Sequence, residues 1–143
     1  MCNAFSMGDR NADDLIQQLG CNPFDSLTKA PVIPSTVANM SYAFFGCTAF
    51  TEAPTIPNGV KNMSYTFAGC SALTVAPTIP GSVTDMTNTF TGCAALTGEI
   101  QFNANPTSYD WCFYGTAKPI KLSGTSKILN ELARHYNNIT VAG

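Results

Sequence analysis

One nine-residue phrase appears three times in this chain. Asn39-Met40-Ser41-Tyr42-Ala43-Phe44-Phe45-Gly46-Cys47 returns as Asn62-Met63-Ser64-Tyr65-Thr66-Phe67-Ala68-Gly69-Cys70 and as Asp85-Met86-Thr87-Asn88-Thr89-Phe90-Thr91-Gly92-Cys93, always at the same interval. A fainter fourth copy keeps the phase, with Tyr109 for the Met, Phe113 and Gly115 retained, and Thr116 for the Cys. The intervening segments repeat too. Leu27-Thr28-Lys29-Ala30-Pro31-Val32-Ile33-Pro34 matches Phe50-Thr51-Glu52-Ala53-Pro54-Thr55-Ile56-Pro57 and Leu73-Thr74-Val75-Ala76-Pro77-Thr78-Ile79-Pro80. The fourth, Leu96-Thr97-Gly98-Glu99-Ile100-Gln101-Phe102, has lost both prolines. A unit this short cannot bury its apolar side alone, but stacked units can, because residues of one phase line up as ladders. The ladders are Leu27/Phe50/Leu73/Leu96, Ile33/Ile56/Ile79/Phe102, Val37/Val60/Val83, Met40/Met63/Met86/Tyr109 and Phe44/Phe67/Phe90/Phe113.

A 23-residue period falls in the range of roughly 20–29 residues typical of leucine-rich repeats. The unit reads Gly-Cys-x-x-Leu-Thr-x-Ala-Pro-x-Ile-Pro-x-x-Val-x-Asn-Met-x-x-x-Phe-x-Gly-Cys over residues 24–116. It resembles the bacterial BspA-type (Treponema-type) leucine-rich repeat, which shares the Cys, the Leu three residues later, the Ile-Pro, the Val and the aromatic-x-Phe-x-Gly-Cys return. It departs in carrying Ala-Pro at the second strand position and Met where Ile is usual. The resemblance implies an α/β repeat solenoid: a leucine-rich-repeat-like right-handed coil with short parallel strands, one short helical turn per repeat and a C-terminal capping helix. It also implies a family that includes adhesins and surface antigens.

Within a unit, Leu73-Thr74-Val75-Ala76 reads as a strand of three to four residues, because Pro77 lacks a ladder N–H. Asn39, Asn62 and Asp85 share an acceptor oxygen suited to capping a helical turn, and Gly46, Gly69, Gly92 and Gly115 are expected to end it at positive φ. The ends differ. Residues 1–23 are expected to form an N-terminal cap or docking segment, with a short amphipathic helix from Asp13 to Leu19. Residues 117–143 are expected to form a C-terminal cap: a strand at Ile120-Lys121-Leu122, a helix from Ser126 to Tyr136 capped by Thr125 or Ser126, and a strand at Ile139-Thr140-Val141.

Only 11% of residues are charged, against roughly 25% in a typical soluble domain, and the net charge is −2. That is too little basic charge to track a phosphate backbone, so nucleic acid is not an expected partner. The polar surface rests instead on 17 Thr, 12 Asn and 10 Ser. Such short side chains lose little rotamer entropy on contact. The segment from Met1 to Gly20 lacks an apolar signal core, and no run is long enough to span a membrane, so membrane insertion is not expected. The chain reads as a virion component, or as part of a longer cell-surface or secreted protein.

Candidate chemistry is sparse. Cys47, Cys70 and Cys93 share a phase. Adjacent parallel rungs about 4.8 Å apart would permit a disulfide, but three stacked thiols cannot all pair, and buried thiols acting as small apolar groups are expected. Cys2, Cys21 and Cys112 lie outside that phase, and a Cys2–Cys21 bridge is open. Asn39, Asn62 and Asn138 begin N-glycosylation sequons, but Asp85 at the same phase favours capping for the first two. His135, beside Arg134, complements the end of the terminal helix. Gly124-Thr125-Ser126-Lys127 lacks the upstream glycine of a phosphate loop. Tyr42, Tyr65, Tyr109 and Tyr114 form either an exposed stripe or a covered edge, with Tyr109 assigned to the core. No catalytic constellation, metal cluster or cofactor motif is present, so no cofactor is expected and an enzyme is not. The binding candidates are outward strand positions: Thr28, Lys29, Thr51, Glu52, Thr74, Val75, Thr97 and Gly98. Two functions follow. One is a non-enzymatic interaction module for a protein or surface glycan. The other is a structural component of a multimeric assembly, such as a bacteriophage fibre, tail or capsid decoration, with homo-oligomers.

Overall fold

The structure is a computed structural model and describes residues 32–142. The Asp13–Leu19 helix, the Cys2–Cys21 bridge, the Leu27 rung and the strand positions Thr28 and Lys29 lie outside the described residues.

Successive units meet in parallel. Bridges join Asn39 to Asn62, Asn62 to Asp85 and Asp85 to Ser108, and further ones join Glu52 to Val75 and Ile79 to Phe102. Among the described residues, continuous strands begin only with β1 (Gly98–Gln101), which pairs in parallel with β2 (Ile120–Ser123), itself paired with β3 (Ile139–Val141). The sheet order is β1-β2-β3. Proline explains the contrast. Pro54 and Pro77 stand where β1 has Ile100, and a proline has no N–H to give to a ladder. Earlier units therefore make single bridges, and the unit without prolines makes a strand.

The stretch from Met40 to Cys47 differs from the helical turn expected there. Ala43, Phe45 and Cys47 N–H groups donate back to Met40, Tyr42 and Phe44 carbonyls. In alternation, Met40, Tyr42, Phe44 and Gly46 N–H groups donate across to Asn62, Ser64, Thr66 and Ala68 of the next unit. The same pattern recurs from Met63 and from Met86. A helix cannot form, because Tyr42, Tyr65, Asn88 and Trp111 all sit at φ between 54° and 62°, in the left-handed region. That twist turns alternate N–H groups along the stack. The Asx oxygens expected to cap a helical turn close Asx turns instead: the Ser41, Ser64 and Thr87 N–H groups donate to Asn39 Oδ1, Asn62 Oδ1 and Asp85 Oδ1 at 2.8, 2.8 and 3.0 Å. Gly69, at φ 79°, lies 3.5 Å from Gly46 Cα measured from where a Cβ would stand, so this phase also brings backbones close together.

The apolar phases are buried. Phe44, Phe67, Phe90 and Phe113 stack with centroids 5.7, 5.6 and 5.4 Å apart and planes within 12°. Met40, Met63, Met86, Val37, Val60, Val83, Ile33, Ile56, Ile79, Leu73 and Leu96 join them in one core. Buried polar groups act as staples between units. Thr66 and Thr89 hydroxyls donate to Met40 and Met63 carbonyls at 2.8 and 2.9 Å, and Cys70 and Cys93 thiols donate to Phe44 and Phe67 carbonyls at 3.1 Å. Each donor is thus satisfied at the point where burial would otherwise be costly.

The terminal helix α1 (Leu129–His135) is shorter than expected and starts later. Its N-cap residue, Ile128, makes no side-chain cap bond; its N–H donates to Ser126 Oγ instead. The approach to the helix is held from the preceding unit, where Asn103 Oδ1 accepts from Thr125 N–H and Asn105 Oδ1 accepts from Lys127 N–H. Leu129 and Leu132 enter the core, and Tyr136 meets Phe113 edge-on at 6.0 Å. No helix among the described residues is long and apolar enough to cross a membrane.

Candidate functional site

Two surfaces stand out. The first is the strand face. Thr51, Glu52, Thr74, Val75, Thr97 and Gly98 are all exposed. Glu52 is bridged to Val75, Thr74 N–H donates to Thr51 O, and Thr97 N–H donates to Thr74 O, so three successive units hold these positions in register. Thr74 and Thr97 hydroxyls donate to Thr51 and Pro119 carbonyls at 3.2 and 2.7 Å. Those hydroxyls are engaged along the stack, which leaves the threonine methyls, Val75 and the Glu52 carboxylate to meet a partner.

The second surface does not stand out from the sequence. A cleft of about 620 Å³ lies between the fourth turn and α1, lined by Tyr109, Asp110, Trp111, Tyr114, Glu131, Leu132, His135 and Tyr136. Trp111 and Tyr114 are each 56% exposed and meet at 88° with centroids 5.1 Å apart. Tyr109, assigned from its phase to the core, is half-buried. Its hydroxyl emerges to donate to Glu131 Oε1 at 2.8 Å, and this hydrogen bond to a carboxylate raises its pKa. A phenol can pack its ring and still wet its oxygen, which a methionine at that phase cannot do. Burial pushes Tyr136 up to about 12. His135 contacts Tyr136 at 5.7 Å on the cleft wall. The one sequence signal for this site is Trp111, which shares the phase of Tyr42 and Tyr65. Tyr42 and Tyr65 stack at 4.8 Å within 4° of parallel, which offsets part of the strain of their left-handed backbone.

The remaining candidates have structural roles. Asn39 and Asn62 close Asx turns through Oδ1. Asn138 Nδ2 donates to Thr116 Oγ1 and Lys118 O at 3.0 and 2.9 Å, so at the third sequon the nitrogen itself is engaged. Among the described residues no group of His, Cys, Asp or Glu could hold a metal ion. Cys112 takes the phase of Thr66 and Thr89 and is buried. Burial, followed by repulsion from Asp110, raises its thiol from 9.0 to about 12; Cys93 is raised by burial and by Cys70. Cys70, Cys93 and Cys112 are fully enclosed. At mildly alkaline pH they should resist an aqueous maleimide until denaturant is added, as read by peptide mass mapping. Because their folded-state pKa lies above the unfolded one, the Cys93 and Cys112 thiols contribute their full stability below about pH 9, and for Cys112 this is lost as pH rises through about 12. Native labelling of Cys93 at the rate of a model thiol would contradict this burial. In comparisons with protein-family models, curated proteins and solved structures, nothing matches this chain.

Proposed function

We propose that the chain is a non-enzymatic recognition module, a leucine-rich-repeat-like solenoid that presents its strand face to a protein or glycan at a cell surface. The observation carrying this reading is the register of exposed positions Thr51/Thr74/Thr97 and Glu52/Val75/Gly98, held by inter-unit hydrogen bonds on a rigid core. A face of short side chains is already ordered before contact, so little entropy is lost on binding. Beads displaying the chain should be retained on whole cells or on immobilised mucin or matrix protein above beads displaying an unrelated domain. Thr51→Lys with Thr74→Lys should lower retention at least fivefold while leaving the melting curve within a few degrees. Unchanged retention with a native melt would remove this face as the contact surface.

A second reading is favoured by β3. Among the described residues its outer edge pairs with no strand, and an open edge is a template for another chain. In that case the chain would be a structural part of a multimer such as a bacteriophage fibre, tail or capsid decoration. Light scattering after size exclusion separates the two: the mass of a single chain favours the recognition module, and a discrete multimer favours assembly.

A further inference from the structure

We propose that the aromatic cleft binds a compact organic cation, a trimethylammonium or similar alkylammonium head, seated in the corner that Trp111 and Tyr114 make by their edge-to-face contact and neutralised by Asp110 and Glu131. The site shares no residue with the strand face and goes beyond that reading.

Ring geometry supports this first. Trp111 and Tyr114 stand at 88° to one another, 5.1 Å apart, and both are more than half exposed. Perpendicular rings form a corner that encloses a rounded group on two sides, whereas a flat sugar ring is best served by one open platform. Tyr136 and His135 add further aromatic surface to the lining. An ammonium over the face of Trp or Tyr is attracted by the negative ring quadrupole, most strongly for Trp.

Charge supports it independently. The cleft contains two carboxylates, and among the described residues no lysine or arginine lines it. Glu131 accepts a hydrogen bond from Tyr109, which fixes its position without neutralising it. The Asp110 side chain makes no hydrogen bond or ion pair with a described residue. An anion would be repelled, and a neutral ligand would leave two carboxylates beside apolar rings without a counter-charge.

Trp111 is the chain's single tryptophan, so its fluorescence reports on this site alone. Titrating the whole chain with choline chloride, at constant chloride and ionic strength, should give a saturable change in emission with a Kd of about 1 mM or tighter. The uncharged isostere 3,3-dimethyl-1-butanol should bind at least tenfold more weakly. Asp110→Asn with Glu131→Gln should weaken choline at least tenfold while leaving the far-ultraviolet signal of the repeats in place. Tyr114→Ala, read by the same titration, should weaken it about fivefold. A trimethyllysine peptide and phosphocholine vesicles then distinguish a protein side chain from a lipid or glycan head as the source. No saturable response to choline or to tetramethylammonium, equal binding of the neutral isostere, or binding of methyl glucoside without choline would overturn the proposal. Bead retention that survives such a result would leave the recognition reading standing, and the two failures are thereby told apart.

Discussion

Phe67→Ala should remove about 3–5 kcal/mol of stability, the range for truncating a buried aromatic. Its ring lies between Phe44 at 5.7 Å and Phe90 at 5.6 Å, touches Phe50 at 6.2 Å, and is fully buried. Neighbouring units are tied to backbone ladders on both sides, so they cannot collapse into the gap without breaking inter-unit bonds at Phe44 and Phe67. A domain of this size has about 5–15 kcal/mol in total, so one ring accounts for a large share. In stacked repeats each unit also supports the next. The guanidinium transition should therefore broaden as well as shift, because units on either side of the gap lose their coupling. Tyr42→Ala is the control. Tyr42 also stacks, on Tyr65, but is 43% exposed, and its loss should shift stability by about 1 kcal/mol or less. A Phe67→Ala variant with stability close to the parent's would show that the phenylalanine column is not a continuous core.

Much of this architecture was legible because apolar phase survives sequence drift. Phe67 and Phe90 sit one repeat apart and stack; Pro77 interrupts a ladder and Ile100 at the same phase restores it. Asn62 could be read as a backbone-binding Asx residue, but the turn it closes is not the helical one expected there. The path of the turn could not be read. Tyr65 in a left-handed conformation contradicts its own preference, and only the inter-unit bond from its N–H to Thr87 O explains why the backbone goes there. The cleft was hidden for a different reason. Its residues come from the most degraded repeat and from the helix beyond it, so Tyr109 and Glu131 share no motif although they share a hydrogen bond. Trp111 replaces a tyrosine phase occupied at Tyr42 and Tyr65, and nothing in one sequence says that α1 would come to rest beside it.

Gly124→Ala should have the second large effect, and it links the core to the cleft. Gly124 is at φ 117°, beyond the left-handed region that other residues tolerate. A Cβ there would strike the Phe102 carbonyl oxygen and stand 2.6 Å from Asn103 Oδ1. Both atoms are in use: Phe102 O accepts from Ser126 N–H at 3.2 Å, and Asn103 Oδ1 accepts from Thr125 N–H at 3.1 Å. The obstacle is backbone on one side and a hydrogen-bonded amide on the other, so neither can swing away. Strain and overpacking together should cost about 3–5 kcal/mol. Gly98→Ala is the comparison: its φ is 89° and no described residue lies within 4 Å of the added Cβ, so only the backbone penalty of about 1–3 kcal/mol applies. The consequence of Gly124→Ala should also be local. The segment it disturbs carries the chain into α1, and α1 supplies Glu131, Leu132 and His135 to the wall facing Trp111. Trp111 emission should therefore shift to the red in dilute denaturant before the far-ultraviolet signal of the repeats is lost. A variant with parental stability and an unchanged Trp111 spectrum would mean that the approach to α1 is not held against Phe102 and Asn103. A single cooperative loss of both signals would mean instead that the last unit and the repeats unfold as one body, with α1 as much a part of the core as the phenylalanine column it covers.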